Sequence, residues 1–157
     1  MKVELWMIGK TAERYLEDGM SIYAKRMKHY LPFEMHLLPD VRNAKSLNQA
    51  QLKEAEGTIF LDKLNDQDFL VLLDENGKSF RSMEFAKQME KWMTHSHRRM
   101  VFLIGGAFGF SPAMYERANA KIALSPMTFS HQLVRLIFLE QLYRAMTILR
   151  GEPYHHE

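Results

Sequence analysis

Met100-Val101-Phe102-Leu103-Ile104-Gly105-Gly106-Ala107-Phe108-Gly109-Phe110-Ser111-Pro112 is an apolar run that breaks into glycines and then into Ser-Pro. Such a stretch reads as a buried strand followed by a loop and a helix start. The pattern returns in brief at residues 121–124, where a short strand gives way to the polar turn Ser125-Pro126-Met127-Thr128 and a helix opened by Ser130. In an open parallel sheet, strand-to-loop-to-helix corners gather at the carboxyl edge of the strands, where ligands bind. The two corners therefore mark the expected ligand site.

The chain upstream alternates in the same way. Residues 2–8 have strand character, with Val3, Leu5 and Met7 on one face and Trp6 and Ile8 on the other. Residues 12–30 carry helical spacing through Tyr15, Leu16, Ile22, Tyr23 and Met27, and Pro32 ends that helix. Residues 33–38 form a weaker strand. Ser46 opens a helical stretch in which Gly57 is expected to bend or divide the helix. Residues 68–74 are the clearest buried strand, residues 75–78 read as a turn, and Ser82 is expected to cap a helix over 83–93. The last helix, 131–149, is apolar over much of its circumference, which calls for more cover than one sheet face and so for a subunit interface. Five strand-then-helix units give an α/β fold, with a mainly parallel sheet and helices on both faces.

At 157 residues the chain fits one domain, 1–157. It has no cysteine, which excludes a disulfide framework and a thiolate zinc site and fits a reducing cytoplasm. Its start is too briefly apolar for a signal peptide or a membrane span. A formal net charge of +2 leaves the partner open, although basic residues cluster at Lys25-Arg26-Met27-Lys28-His29 and at His95-Ser96-His97-Arg98-Arg99. The glycines at 105, 106 and 109 have the wrong spacing for a dinucleotide fingerprint, and no Lys-Ser or Lys-Thr follows to make a phosphate loop. They read either as plain turn glycines or as positions where a ligand touches main chain.

Several stretches together carry a resemblance. Phe102-Leu103-Ile104-Gly105-Gly106 with Gly109, Leu124-Ser125-Pro126-Met127-Thr128-Phe129 with His131, Arg135, Glu140-Gln141-Leu142-Tyr143-Arg144-Ala145, and Pro153-Tyr154-His155 closely resemble the ribosomal RNA large-subunit methyltransferase H family, of the SPOUT class. The resemblance covers essentially the whole chain. It implies a C-terminal trefoil knot, one of the rare exceptions to unknotted topology. It also implies transfer of a methyl group from S-adenosylmethionine to N3 of a pseudouridine in 23S ribosomal RNA, on assembled ribosomes, by a homodimer. The cofactor contacts it implies are Leu73, Gly105, Leu124, Ser125, Pro126, Met127, Thr128 and Phe129. A cofactor without phosphates needs main-chain hydrogen bonds and apolar walls, and these residues supply both.

Methyl transfer needs alignment of the base nitrogen and a group to take its proton. The candidates are His131, Arg135, Tyr154 and His155, with His156 beside them. His131 otherwise reads as a polar residue at a helix start, and Arg135 either as a structural partner of Glu140 or of a carboxylate across the interface or as a contact to RNA phosphate. Glu140 and Arg144 stand one turn apart and read as a helix pair. The tail Glu-Pro-Tyr-His-His-Glu would ordinarily fray, but in the family it helps to build the active site, that of the neighbouring subunit. Many relatives have arginine where this chain has His156, which exchanges a fixed cation for a mostly neutral ring. No metal is expected: His95 with His97 and His155 with His156 lack a third ligand at a telling spacing. With an RNA substrate the two basic clusters become phosphate contacts. A non-catalytic RNA- or ribosome-binding module of the same fold is the alternative reading, and it differs in binding no cofactor.

Overall fold

The structure, a computed structural model, describes residues 1–95 and 97–156. Its strands are β1 (Lys2–Ile8), β2 (Phe33–Leu38), β3 (Asp68–Ser79), β4 (Arg99–Ile104) and β5 (Ala120–Ala123). Its helices are α1 (Arg14–Met27), α2 (Gln49–Lys63), α3 (Ser82–Met93), α4 (Pro112–Arg117) and α5 (Leu133–Leu149). One sheet holds all five strands in the order β2-β1-β4-β3-β5, and every neighbouring pair is parallel. The alternation of side chains along a strand divides the core in two. Val3, Leu5, Met7, Val71 and Phe102 meet α1, α3 and α5 through residues such as Met20, Phe85 and Phe138. On the other face Trp6, Ile8, Leu70, Leu72 and Leu103 meet Phe60 of α2 and Met114 of α4. Helices thus cover both faces, which is why the inner strands read as continuous apolar runs.

A carboxylate interrupts that pattern at Glu4, which is 1% exposed. It is matched by the Trp6 indole Nε1 at 2.9 Å, by His36 Nε2 at 2.8 Å and by Arg99 Nη1 at 3.3 Å. Arg99 also donates from Nε to Asp68 at 3.0 Å, so the amino ends of β1, β3 and β4 are tied by one guanidinium. Arg99 is therefore committed to the fold and is no free phosphate contact. His95 and His97 lie with their rings against Phe69, at 6.3 and 5.0 Å, and Ser96 of the same cluster lies outside the described residues. In the other basic cluster Arg26 sits 5.3 Å from the ring centres of both Tyr23 and Tyr143.

Several local expectations are corrected. Helix α2 starts at Gln49, because Asn48 and Gln51 close a capping box, at 2.8 and 3.0 Å; Ser46 instead ends a short 3-10 turn. Gly57 does not divide α2, which runs unbroken through it. A Cβ there would stand 2.7 Å from Ser111 Oγ, so the glycine lets α2 approach the start of α4. Residues 75–78 are not a turn between elements but part of β3, where both Leu73 and Lys78 pair with Ile122 around a bulge. A Cβ on Gly77 would meet the Ile122 main-chain nitrogen at 2.6 Å, so pairing with β5 overrides the turn chemistry of Glu-Asn-Gly-Lys. Ser82 does not cap α3; its hydroxyl donates to Gln141 of α5 at 2.9 Å. The buried stripe of α1 is Leu16, Met20, Ala24 and Met27, leaving Tyr15 66% and Ile22 50% exposed. Helix α5 starts at Leu133, with Ser130 Oγ accepting the Leu133 amide at 3.0 Å. It packs against both α1 and α3, so much of its apolar circumference is met within the chain. Among the described residues no helix is long and apolar enough to cross a membrane.

Candidate functional site

Beyond the carboxyl ends of β4 and β5, and beside the bulge in β3, three segments enclose a cleft of about 430 Å³. Leu73 and Asp74 come from β3, residues 104–110 from the glycine corner, and residues 122–125 with 127–129 from the second corner. Leu73, Gly105, Leu124, Ser125, Met127, Thr128 and Phe129 thus share one cavity wall; Pro126 alone of the expected cofactor residues does not line it.

The glycine corner is a tight turn. Gly106 and Gly109 form an antiparallel bridge, the Gly109 amide donating to the Gly106 carbonyl at 3.3 Å, and Gly109 has φ of +88°. Positive φ at that position is what glycine tolerates without strain. From below, Glu56 of α2 presses on the turn: a Cβ on Gly106 would stand 2.9 Å from Glu56 Oε1. That carboxyl is 9% exposed, and burial and then Asp40 push it above the usual glutamate range while the Gly106 amide pulls it back. A Cβ on Gly105 would come within 3.0 Å of the Phe110 ring and 3.2 Å of the Gly109 carbonyl oxygen.

Asp74 is held by Tyr115, whose hydroxyl donates to its Oδ1 at 2.8 Å. Burial and that hydrogen bond push Tyr115 up to about 12, so the phenol keeps its proton near neutrality. In the second corner Ser125 Oγ accepts the Met127 amide at 3.0 Å, which fixes the turn after β5. The lining combines apolar walls from Leu73, Ile104, Ile122, Leu124 and Val134 with the carboxylates of Asp74 and Glu75. An apolar ring and a compact positive charge are the ligand features such a lining accommodates.

His131 also lines the cleft. Burial, then the Arg135 guanidinium, hold its imidazole below the usual histidine range, so it is neutral at neutral pH and able to accept a proton. Arg135 is not at the cleft surface. It is fully buried, donating to the Ile8 carbonyl oxygen at 2.7 Å and to the Gly9 carbonyl oxygen and Thr11 Oγ1 at 3.0 Å each. Its partners are therefore two main-chain carbonyls and the Thr11 hydroxyl, and Glu140 is taken by Arg144 as the one-turn spacing suggests, at 2.6 Å.

The tail is anchored elsewhere on α5. Tyr154 donates to Glu140 Oε1 at 3.1 Å and packs edge-on to Tyr143 at 4.8 Å, beneath the Arg144 guanidinium. Burial, then Tyr23 and Glu140, push its phenol well above the usual range. His155 Nδ1 lies 3.0 Å from Arg144 Nη1, and His156 is exposed. His131 and the Glu140–Arg144 segment are separated by roughly 15 Å of helix, so one chain does not bring the tail to its own cleft. Glu157 lies outside the described residues.

Glu56, Asp74, Tyr115, Lys53 and Phe108 did not stand out in the sequence as site residues. Glu56 had a signal: it sits four residues after Leu52 and four before Phe60, a charge on the apolar stripe of its helix. Among the described residues the one group able to bring three metal-ligand atoms together is Glu4, Glu34 and His36, far along the sheet from the cleft, and not the paired histidines.

A family model described as "Predicted SPOUT methyltransferase" matches residues 1–155. The chain is 54% identical over 157 residues, all of both chains, to a "Ribosomal RNA large subunit methyltransferase H" of Parabacteroides distasonis. It is likewise 54% identical over 156 residues to the protein of that name in Cytophaga hutchinsonii, covering 99% of this chain and 100% of that one. Among solved structures it resembles a probable methylase family protein of Haemophilus influenzae Rd KW20, with a TM-score of 0.55 and 12% identity, over 95% of this chain and 66% of that chain. At that identity the likeness is one of fold.

Proposed function

The chain belongs to the SPOUT methyltransferase family, among the ribosomal RNA large subunit methyltransferases H, and on that premise we propose that it methylates N3 of a pseudouridine in 23S ribosomal RNA. The donor is S-adenosylmethionine, the substrate is the assembled ribosome in the cytoplasm, and the working unit is a homodimer. The observation that carries this reading is that three segments distant in sequence, at Leu73, Gly105 and 124–129, line one cleft at the carboxyl edge of the sheet.

The donor set fits the cofactor. Apolar walls suit an adenine ring, Asp74 and Glu75 suit a sulfonium and an ammonium, and no phosphate loop is needed. Leu73, Gly105, Leu124, Ser125, Met127, Thr128 and Phe129 would hold it, with Pro126 shaping the turn. When bound, S-adenosylmethionine supplies an electrophilic methyl group. The chain's own residues align the base nitrogen with that methyl and exclude water from the cleft, which is where most of the rate gain arises. His131, neutral by burial, accepts the proton that N3 loses. Arg135 acts through position, locking the start of α5 to the end of β1 so that His131 faces the cleft.

Tyr154 and His155 complete the site of the neighbouring subunit, since they are anchored away from the cleft of their own chain. The exposed side chains of Tyr15, Ile22 and Leu133 are apolar surface that a second copy would cover. Label transfer from methyl-labelled S-adenosylmethionine to ribosomes, with free ribosomal RNA and transfer RNA as controls, tests the proposal. Label on large-subunit RNA of the intact ribosome is expected; absence of label there would refute it.

A further inference from the structure

The cleft has a rim that the cofactor contacts leave unused. Phe108 stands at the tip of the Gly106–Gly109 turn, lines the cleft, and is 48% exposed. Two residues on, Phe110 turns inward, 5% exposed, with its ring 6.1 Å from Tyr115. The same loop therefore buries one phenylalanine and presents the other. Phe108 has no ring or cation partner among the described residues, and its turn is held from below by Glu56. An aromatic ring left half exposed at the mouth of a cleft gains apolar burial when a ligand covers it.

Lys53 lines the same cleft from α2, one turn before Glu56 and so close to the same helix face. It makes no ion pair or hydrogen bond with any described residue, whereas Arg99 and Arg144 are both matched to carboxylates.

We propose that this rim holds the target nucleotide: Phe108 stacks on the base to be methylated and Lys53 pairs with a backbone phosphate beside it. The assignment rests on the methyl-transfer reading above and names the substrate contacts of that site. A base must leave its stack to reach a reacting atom in a cleft, and an aromatic face at the entrance restores part of the stacking it gives up. A flexible lysine suits the phosphate that travels with it. Both contacts tolerate any sequence, so the rim grips the nucleotide without reading it.

The test measures S-adenosylmethionine affinity by calorimetry and methyl transfer to ribosomes across a salt series, for wild type, Phe108→Ala, Phe108→Leu, Phe108→Tyr and Lys53→Ala. All five are expected to bind the cofactor alike. Phe108→Ala and Phe108→Leu should lose about tenfold in kcat/KM, and Phe108→Tyr should keep wild-type activity, because stacking and not bulk is what is removed. Lys53→Ala should lower kcat/KM and flatten its dependence on log salt by about 0.7. Phe108→Leu as active as wild type would overturn the stacking role. Weakened cofactor binding by Lys53→Ala would assign the lysine to the methionine carboxylate and overturn the phosphate contact. A wild-type protein that binds the cofactor and leaves ribosomes unmethylated would overturn the methyl-transfer reading, and this assignment with it.

Discussion

Arg135 Nη2 donates to the carbonyl oxygen of Ile8 at 2.7 Å, joining the first turn of the last helix to the end of the first strand across 127 residues. The guanidinium is fully buried and faces main-chain carbonyls, so its charge serves to hold the floor of the site and not to touch RNA.

Arg135→Ala is therefore expected to act on stability. It removes charge-assisted hydrogen bonds to two carbonyls and leaves those oxygens buried without partners, a loss of about 3 kcal/mol. Urea unfolding checks this. Arg135→Lys should recover little, since one ammonium does not span Ile8, Gly9 and Thr11 as the planar fork does.

Glu56 gives stability a pH dependence. Its folded pKa lies above the ordinary glutamate value of 4.5, through burial and Asp40. Below 4.5 the carboxyl is protonated in folded and unfolded chains alike, and its contribution is fully present. As pH rises through the folded value, the unfolded chain ionises first and the folded state loses that contribution. Asp40 faces it and also acts on His131 and Arg135, so the comparison must be with Glu56→Gln. Thermal unfolding from pH 4 upward is expected to show a fall in wild type that the variant lacks.

Gly105→Val is expected to abolish S-adenosylmethionine binding with the fold retained. Its Cβ would press on the Phe110 ring and the Gly109 carbonyl, displacing the glycine corner from the cleft. Calorimetric titration, with circular dichroism as the check on folding, measures both.

His131→Gln is expected to preserve cofactor affinity and to lower kcat by 10²-fold or more, the range for loss of a general base. In wild type the acid limb of the kcat profile should fall below 6.5, because burial and Arg135 depress the imidazole. A limb unchanged in the variant would remove His131 from proton transfer.

Truncation after Pro153 is expected to spare cofactor binding and to cut methyl transfer. Mixing the truncated chain with a His131→Gln chain should restore part of the activity if the tail serves the partner's cleft. Activity of the mixture equal to the sum of the two alone would contradict a tail that serves the partner's cleft.

The sequence disclosed the fold where period and packing agree. DFLVLLD and MVFLI are continuous apolar runs because α2 and α4 lie on one side of them and α1, α3 and α5 on the other. It misled where a distant partner decides. Glu75-Asn76-Gly77-Lys78 has turn chemistry, but pairing with β5 draws it into the sheet. Ser82 looks like a cap, but Gln141 of α5 takes its hydroxyl. Tyr15 and Ile22 share the helical spacing of α1 yet face outward. Of the site, the two loop corners were legible from their glycines and prolines, whereas the support beneath them was not. Glu56 under Gly106, Tyr115 on Asp74 and Arg135 on Ile8 are contacts across the fold that local spacing does not encode.

A crystal structure with S-adenosylmethionine soaked in tests the central claim most directly. The cofactor is expected between Leu73, Gly105 and the 124–129 corner, with its methyl directed toward the mouth beside Phe108 and His131. Density for it outside that cleft, or none at saturating concentration, would contradict the account.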